Sequence, residues 1–126
     1  MSFATDLYAV MIGDASINTE IDGGIHYENL PDNFDLTKKW IVYHYNGREQ
    51  IDCMKGSKLY EIKDLNVTLI TQNTEDLTSI SELIKDYLNF TEYGTIMDIN
   101  FTGDGHTFDQ EKNIYMNTLN FDVMNI

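Results

Sequence analysis

The sequence holds one cysteine, Cys53, and one proline, Pro31. A lone thiol cannot close an intrachain disulfide, which suits a reducing cytoplasm and leaves packing and hydrogen bonds to hold the fold. Cys53 follows Asp52. A neighbouring carboxylate offers none of the positive field that a catalytic thiolate needs, so Cys53 reads as inert. Cations are scarce as well: 8 Lys and Arg stand against 21 Asp and Glu, a formal net charge of −13. Binding a phosphate backbone requires cations that displace counterions, so the composition argues against a positive nucleic-acid surface. No apolar run approaches the ~20 residues of a membrane span. The stretch 1–10 carries Asp6 and no early basic residue, which is not a signal-peptide pattern. The sequons at Asn66, Asn89 and Asn100 therefore carry no glycosylation meaning.

Catalytic motifs are missing too. There is no phosphate-binding GxxxxGK[ST], no GxGxxG and no nucleophile elbow. The three histidines, His26, His44 and His106, show no metal-ligand spacing. His44 lies in an aromatic run and reads as a packing residue. His106 stands between Asp104 and Asp109, which invites a metal or an acid–base pair. Gly-Asp-Gly-His is also ordinary turn chemistry and lacks the ligand ladder of a calcium loop. No catalytic, metal or cofactor-binding residue is assigned.

What is present is a pattern of periodicities. The 126 residues are ordinary in apolar content and rich in aromatics, consistent with one folded domain over 1–126. Ser2 can cap a helix over about 3–12, in which Phe3, Leu7, Val10 and Met11 share a stripe. The stretch 13–38 is irregular, with a short strand at about 25–28. Residues 39–45 alternate as a strand, with Trp40, Val42 and His44 on one face and Ile41, Tyr43 and Tyr45 on the other. Neither set is plainly polar, so both faces are expected to be covered. Asn46-Gly47 favours a turn, and 46–58 reads as an extended hairpin tip. A strand follows over about 58–71. Leu65, Val67 and Leu69 have the opposite parity to Tyr60 and Ile62, which predicts a bulge near Lys63-Asp64. Thr74 caps a helix over about 75–90, with Leu77, Ile80, Ile84, Tyr87 and Leu88 in one stripe. Strands at about 95–101 and 113–124 flank an acidic loop over 102–112. The fold class is α+β: a mainly antiparallel sheet of four to five strands with two helices packed on it.

Three stretches carry a resemblance. Gly24-Ile25-His26-Tyr27, followed after a loop by Trp40-Ile41-Val42-Tyr43-His44-Tyr45, is the first. Tyr60-Glu61-Ile62 through Val67-Thr68-Leu69-Ile70, with the helix 75–88 behind it, is the second. The third runs from Asp109-Gln110-Glu111 through Tyr115 to Leu119-Asn120-Phe121-Asp122-Val123. In order and spacing they resemble the phage tail-completion or tail-terminator family of small neck proteins. The resemblance implies a structural virion protein made in the bacterial cytoplasm. It would form a homo-oligomeric ring, hexameric in the family, at the head-proximal end of the tail. Its partners would be the tail tube protein and the head–tail connector protein. Genomic DNA would pass without specific binding, with no membrane, no cofactor and no catalysis. This chain departs from the family pattern in its Asn, Ile and Asp content and in its long 46–58 stretch.

The acidity has three readings. It can serve solubility, line a passage that DNA crosses without sticking, or imitate DNA as an inhibitor of a host DNA-binding enzyme. On the ring reading, the 13–38, 46–58 and 102–112 segments meet neighbours. Arg48, Glu49, Asp52, Lys55, Asp104, Asp109 and Glu111 are then the candidate interface and lumen residues, with Glu49, Asp52, Asp104, Asp109 and Glu111 expected on the inner wall or the tube-facing rim.

Overall fold

The computed structural model describes residues 2–52 and 58–126. Its elements run α1 (Phe3–Met11), α2 (Ala15–Glu20), β1 (Gly24–Tyr27), β2 (Trp40–Asp52), β3 (Lys58–Thr71), α3 (Thr74–Leu88), β4 (Ile96–Asp109) and β5 (Ile114–Asn125). The strands form one sheet in the order β1-β2-β3-β5-β4. Only β1 lies parallel to its neighbour, β2; the other pairings are antiparallel. The architecture is the expected α+β sheet with helices, five-stranded and mixed, with a third, short helix added.

Alternation along each strand decides which face is buried. Ile41, Tyr43, Leu65, Val67, Leu69, Leu119, Phe121 and Val123 form the core together with the helix stripes Leu7, Val10, Met11 and Leu77, Ile80, Ile84, Leu88. Each of those four α3 side chains is at most 4% exposed. Burial of this kind contributes about 1.5–3 kcal/mol per side chain, which offsets the ordering of the helix. The hydroxyl of Tyr87 donates to the carbonyl of Val10 at 2.7 Å and ties α3 to α1. Among the described residues, the opposite face of the sheet is covered at one end. There Trp40, Ile70 and Ile114 pack with Leu30, Phe34 and Leu36 from the 28–39 connection. The Trp40 indole N–H donates to the carbonyl of Asp35 at 2.8 Å. The strand around Trp40 is thus covered on both sides, as its two apolar parities predicted.

Several expectations are corrected. The 46–58 hairpin tip is largely strand: β2 continues to Asp52, because its outer half pairs with β3 from Asn46↔Asp64 to Asp52↔Lys58. The bulge lies on β2. Gly47 pairs with Lys63 and Glu49 with Ile62, so Arg48 is the extra residue. From Tyr60 onward strand β3 keeps one parity, and Tyr60 and Ile62 face away from the core; a second shift, between Ile51 and Asp52, skips Leu59. The acidic loop over 102–112 is mostly strand, because β4 pairs with β5 as far as Asp109↔Ile114. The helix cap is Asn73, whose side chain accepts from the N–H groups of Glu75 and Asp76; Thr74 is the first helical residue. The 13–38 stretch contains α2 as well as β1.

One contact in the core is ionic. Asp6 is 1% exposed in the middle of α1. Its Oδ2 accepts from the backbone N–H and from the hydroxyl of Thr95, both at 2.8 Å. Gly94 sits against this carboxylate at φ +55°, where a Cβ would lie 2.5 Å from Oδ2. A buried carboxylate survives when hydrogen bonds satisfy it, so this clamp fixes α1 to the start of β4.

Two outcomes follow from these contacts. Replacing Asn73 with Ala leaves two helix N–H groups without their acceptor and should cost ~1 kcal/mol, read from urea unfolding. The N–H and hydroxyl of Thr95 hold the Asp6 carboxyl below its ordinary value. Asp6 therefore favours the folded state above its unfolded pKa and loses that contribution on protonation. The thermal midpoint should fall on acidification below about pH 4. Asp6→Asn should lower the midpoint at neutral pH and flatten its decline in acid, with melting measured across pH as the check.

Candidate functional site

Beyond the Trp40 end, the middle of the uncovered face is polar, and past it the partners Ile62 and Met124 turn to the same side. Residues whose parity opposes the core line up across it. One row runs His44↔Asn66↔Asn120↔Gly103, and the next runs Asn46↔Asp64↔Asp122↔Asn100. The hydroxyls of Thr68 and Thr118 meet at 3.0 Å between β3 and β5. His44 Nδ1 lies 3.8 Å from a Glu28 oxygen at the β1 side.

The strongest electrostatic feature on this face is a bridge. The bulge on β2 turns Arg48 over the sheet, where one guanidinium nitrogen donates to Asp64 at 3.1 Å and to Asp122 at 2.8 Å. The hydrogen bond to Asp122 raises the Arg48 pKa further above its already high value. Asp64 and Asp122 are cross-strand partners. Like charges directly opposite one another repel, and a shared cation removes that repulsion.

Of the seven residues singled out in the sequence, the five whose side chains are described do not form one cluster. Arg48 and Glu49 sit at the bulge. Lys55 and the side chain of Asp52 lie outside the described residues, as does Cys53. Asp104 pairs with Leu119 and so belongs to the helix-covered parity. There it accepts from Asn117 Nδ2 at 3.3 Å and lies 3.6 Å from His106 Nε2. Asp109 and Glu111 occupy the β4–β5 turn at the far end of the sheet, where Asp109 Oδ1 accepts from the N–H groups of Glu111 and Lys112. The expected acidic wall is thus divided between two faces and two ends. The carboxylates that do converge, Asp64 and Asp122, were not singled out. Their polar parity was visible in the sequence, but their mutual placement needed the β3–β5 register.

Shallow clefts border the two sheet edges. One of about 350 Å³ lies between α3 and the end of β4, lined by Thr74, Leu77, Thr78, His106, Thr107, Phe108 and Tyr115. Another, of about 190 Å³, is aromatic and lined by Ala4, Tyr27, Tyr43 and Tyr45. Burial pushes the Tyr43 hydroxyl up to about 12, so it stays neutral at physiological pH. Among the described residues, no three His, Cys, Asp or Glu side chains are placed to hold a metal ion. Among the same residues, no helix is long and apolar enough to cross a membrane.

No family model and no curated protein matches the chain. A match does exist among solved structures: a chain of the "virion of native gene transfer agent (GTA) particle". It superposes with a TM-score of 0.79 at 12% identity, covering 98% of this chain and 94% of that one. At that identity the likeness is one of fold.

Arg48→Ala would leave Asp64 and Asp122 facing one another without their cation. The expected result is a small drop in thermal midpoint that grows as salt is lowered, because unscreened carboxylates repel more strongly. Asp122→Asn in the same background should restore the midpoint. Melts in low and high salt measure both.

Proposed function

We propose that this chain is a structural protein of a phage-type virion and acts as a ring at the head-proximal end of the tail. It would end growth of the tail tube and join the tube to the head connector. The observation that carries the virion reading is the fold match to the gene transfer agent virion chain, which extends over nearly the whole of both chains. The narrower tail-terminator role rests on the sequence resemblance of the 24–45, 60–88 and 109–123 stretches.

The role proposed is mechanical and non-catalytic. A sheet with helices on one face and a polar opposite face can stand in a ring with the helices outward and the polar face inward. That face carries Asp64, Asp122 and Glu49, with Arg48 as its neutralising cation. A wall with surplus carboxylate offers phosphate few binding partners and lets DNA slide. The same bridge weighs against a DNA mimic, which needs carboxylates free to imitate a phosphate row.

Imaging intact particles by cryo-electron microscopy tests the assignment. The expected result is density for this fold in a ring between capsid and tail tube, with its helices outside and Arg48 near the lumen. Particles that contain the chain elsewhere, or lack it, sink the proposal.

A further inference from the structure

The two edges of the sheet differ, yet they match one another. At one edge is β1. Glu28 donates its N–H to the carbonyl of Tyr43 at 2.9 Å, so the even-numbered residues here turn their backbone toward β2. Ile25 and Tyr27 therefore turn theirs outward. Asn29 donates to the Tyr27 carbonyl at 2.8 Å. Among the described residues, no partner takes the N–H or carbonyl of Ile25.

At the other edge is β4. Its first half is covered by the segment that follows α3. Phe90 donates to the carbonyl of Ile99 at 2.6 Å, Tyr93 and Ile96 bond reciprocally, and the side chain of Asn89 accepts from the N–H of Phe101 at 3.0 Å. From Gly103 to Asp109, β5 is the only strand paired with β4 among the described residues.

These two open stretches stand at the same height. One line of partners crosses all five strands as Tyr27↔Tyr43↔Val67↔Leu119↔Asp104, and another as Gly24↔Trp40↔Ile70↔Met116↔Thr107. The open part of β1 is therefore level with residues 104–107 of β4. Their directions are also opposed: β1 runs with β2 and β5, and β4 runs against β5. Two copies in the same orientation, set side by side, bring β1 of one against β4 of the next as antiparallel strands.

We propose that copies of this chain join by adding β1 of one to the 103–109 edge of β4 of the next, so that each subunit extends its neighbour's sheet. This deepens the ring reading and rests on it. The two contacting surfaces are different, so the contact is head-to-tail and repeats until rotation closes it. Backbone pairing supplies direction and register. Flanking apolar side chains supply area. Tyr8 and Tyr27 are 51% and 43% exposed beside β1, and Phe108 is 41% exposed beside β4. Pairing at equal height sets Ile25 and Tyr27 alongside His106 and Asp104 on the helix side, at the mouth of the cleft lined by Leu77, Phe108 and Tyr115. The occupant is a second copy because the chain itself carries both halves of the match. The acidic surface, at −13 per chain, makes side-by-side contact costly wherever carboxylates face each other. An edge-to-edge contact made by the backbone keeps the open faces of neighbours from stacking.

The test uses the full chain with Ile25→Cys and His106→Cys together, and with Cys53→Ser to remove the native thiol. Directly paired residues on adjacent strands have Cα atoms about 4.5–5.5 Å apart, within reach of a disulfide. Oxidation should yield a ladder of covalent oligomers ending at the ring size. Either cysteine alone should leave monomers on a denaturing gel. Separately, Ile25→Pro removes an outward N–H without touching the β2 ladder and should reduce the oligomer to monomer, by light scattering, at unchanged circular dichroism. If that variant unfolds, the cross-link alone decides. An oligomer that does not cross-link at this pair overturns the edge pairing and leaves the ring reading standing. A chain that stays monomeric at its solubility limit also overturns the pairing. A ladder in solution combined with absence from the capsid–tail junction keeps the pairing and removes the proposed function.

Discussion

The pairing of β3 with β5 is the constraint on which the rest depends. It runs from Glu61↔Asn125 to Thr71↔Tyr115 and joins two hairpins, β2–β3 and β4–β5, that are otherwise local. Only this long-range ladder aligns Leu65, Val67 and Leu69 with Phe121, Leu119 and Asn117, giving the helices one continuous apolar surface to cover. A slip of one residue would turn Asn120 and Asp122 into the core and expose Phe121 and Val123. The cost of such a slip is several buried side chains at once, so the register is firmly set. The same ladder fixes which strands remain at the edges.

Burial on one face explains where the charge lies. Both long helices pack on the same side, so carboxylates gather at solvent-facing positions and on the open face. Two carboxylate sites are each held by named partners. Asp6 is buried but bonded by Thr95, and Asp64 opposes Asp122 across Arg48. In the first, backbone and hydroxyl donors stabilise an anion in the interior. In the second, a single cation, half in solvent, relieves repulsion on the surface. Asn117 is another polar group in the core, bonded through Nδ2 to Ser81 at 2.9 Å, with its Oδ1 left without a partner among the described residues. The same Nδ2 lies 3.3 Å from Asp104 at the edge strand.

Much of this was legible in the sequence. The α3 stripe at Leu77, Ile80, Ile84 and Leu88 is a strong helical period, and Leu119, Phe121 and Val123 alternate cleanly. Trp40 and Ile41 revealed a strand covered on both faces. What failed did so because tertiary pairing outweighed local chemistry. Gly103-Asp104-Gly105 has the composition of a turn, yet β5 continues alongside and holds it as strand. The hairpin does extend past Asn46-Gly47, as the polar run behind that pair suggested, but its irregularity falls at Arg48 on β2 and not near Lys63-Asp64. Asn73 took the cap from Thr74 because its amide oxygen reaches two N–H groups at once. The acidic residues could be counted from the sequence but not grouped, since grouping depends on which strand lies beside which. Asp6 gave no signal: nothing in a helix sequence says that Thr95 waits beside it.

The division of the two faces bears on how such a subunit could serve a passage. A ring whose wall is sheet is stiff along the backbone ladder and presents side chains at regular intervals, so its inner charge is set by strand parity rather than by loops. On this chain that parity offers Asn66, Asn120, Thr68 and Thr118 between the Asp64–Asp122 row and the Trp40 end. Of the Thr68 and Thr118 hydroxyls, one spends its proton on the other, so the pair offers a phosphate one neutral donor and no charge. Arg48, the cation that lies over that charged row, is already committed to Asp64 and Asp122. A passing polyanion would have to break that bridge to bind it, and would then face two bare carboxylates. A surface can thus be non-adhesive to DNA while carrying a cation, provided each positive group is held by more negative charge than it can neutralise.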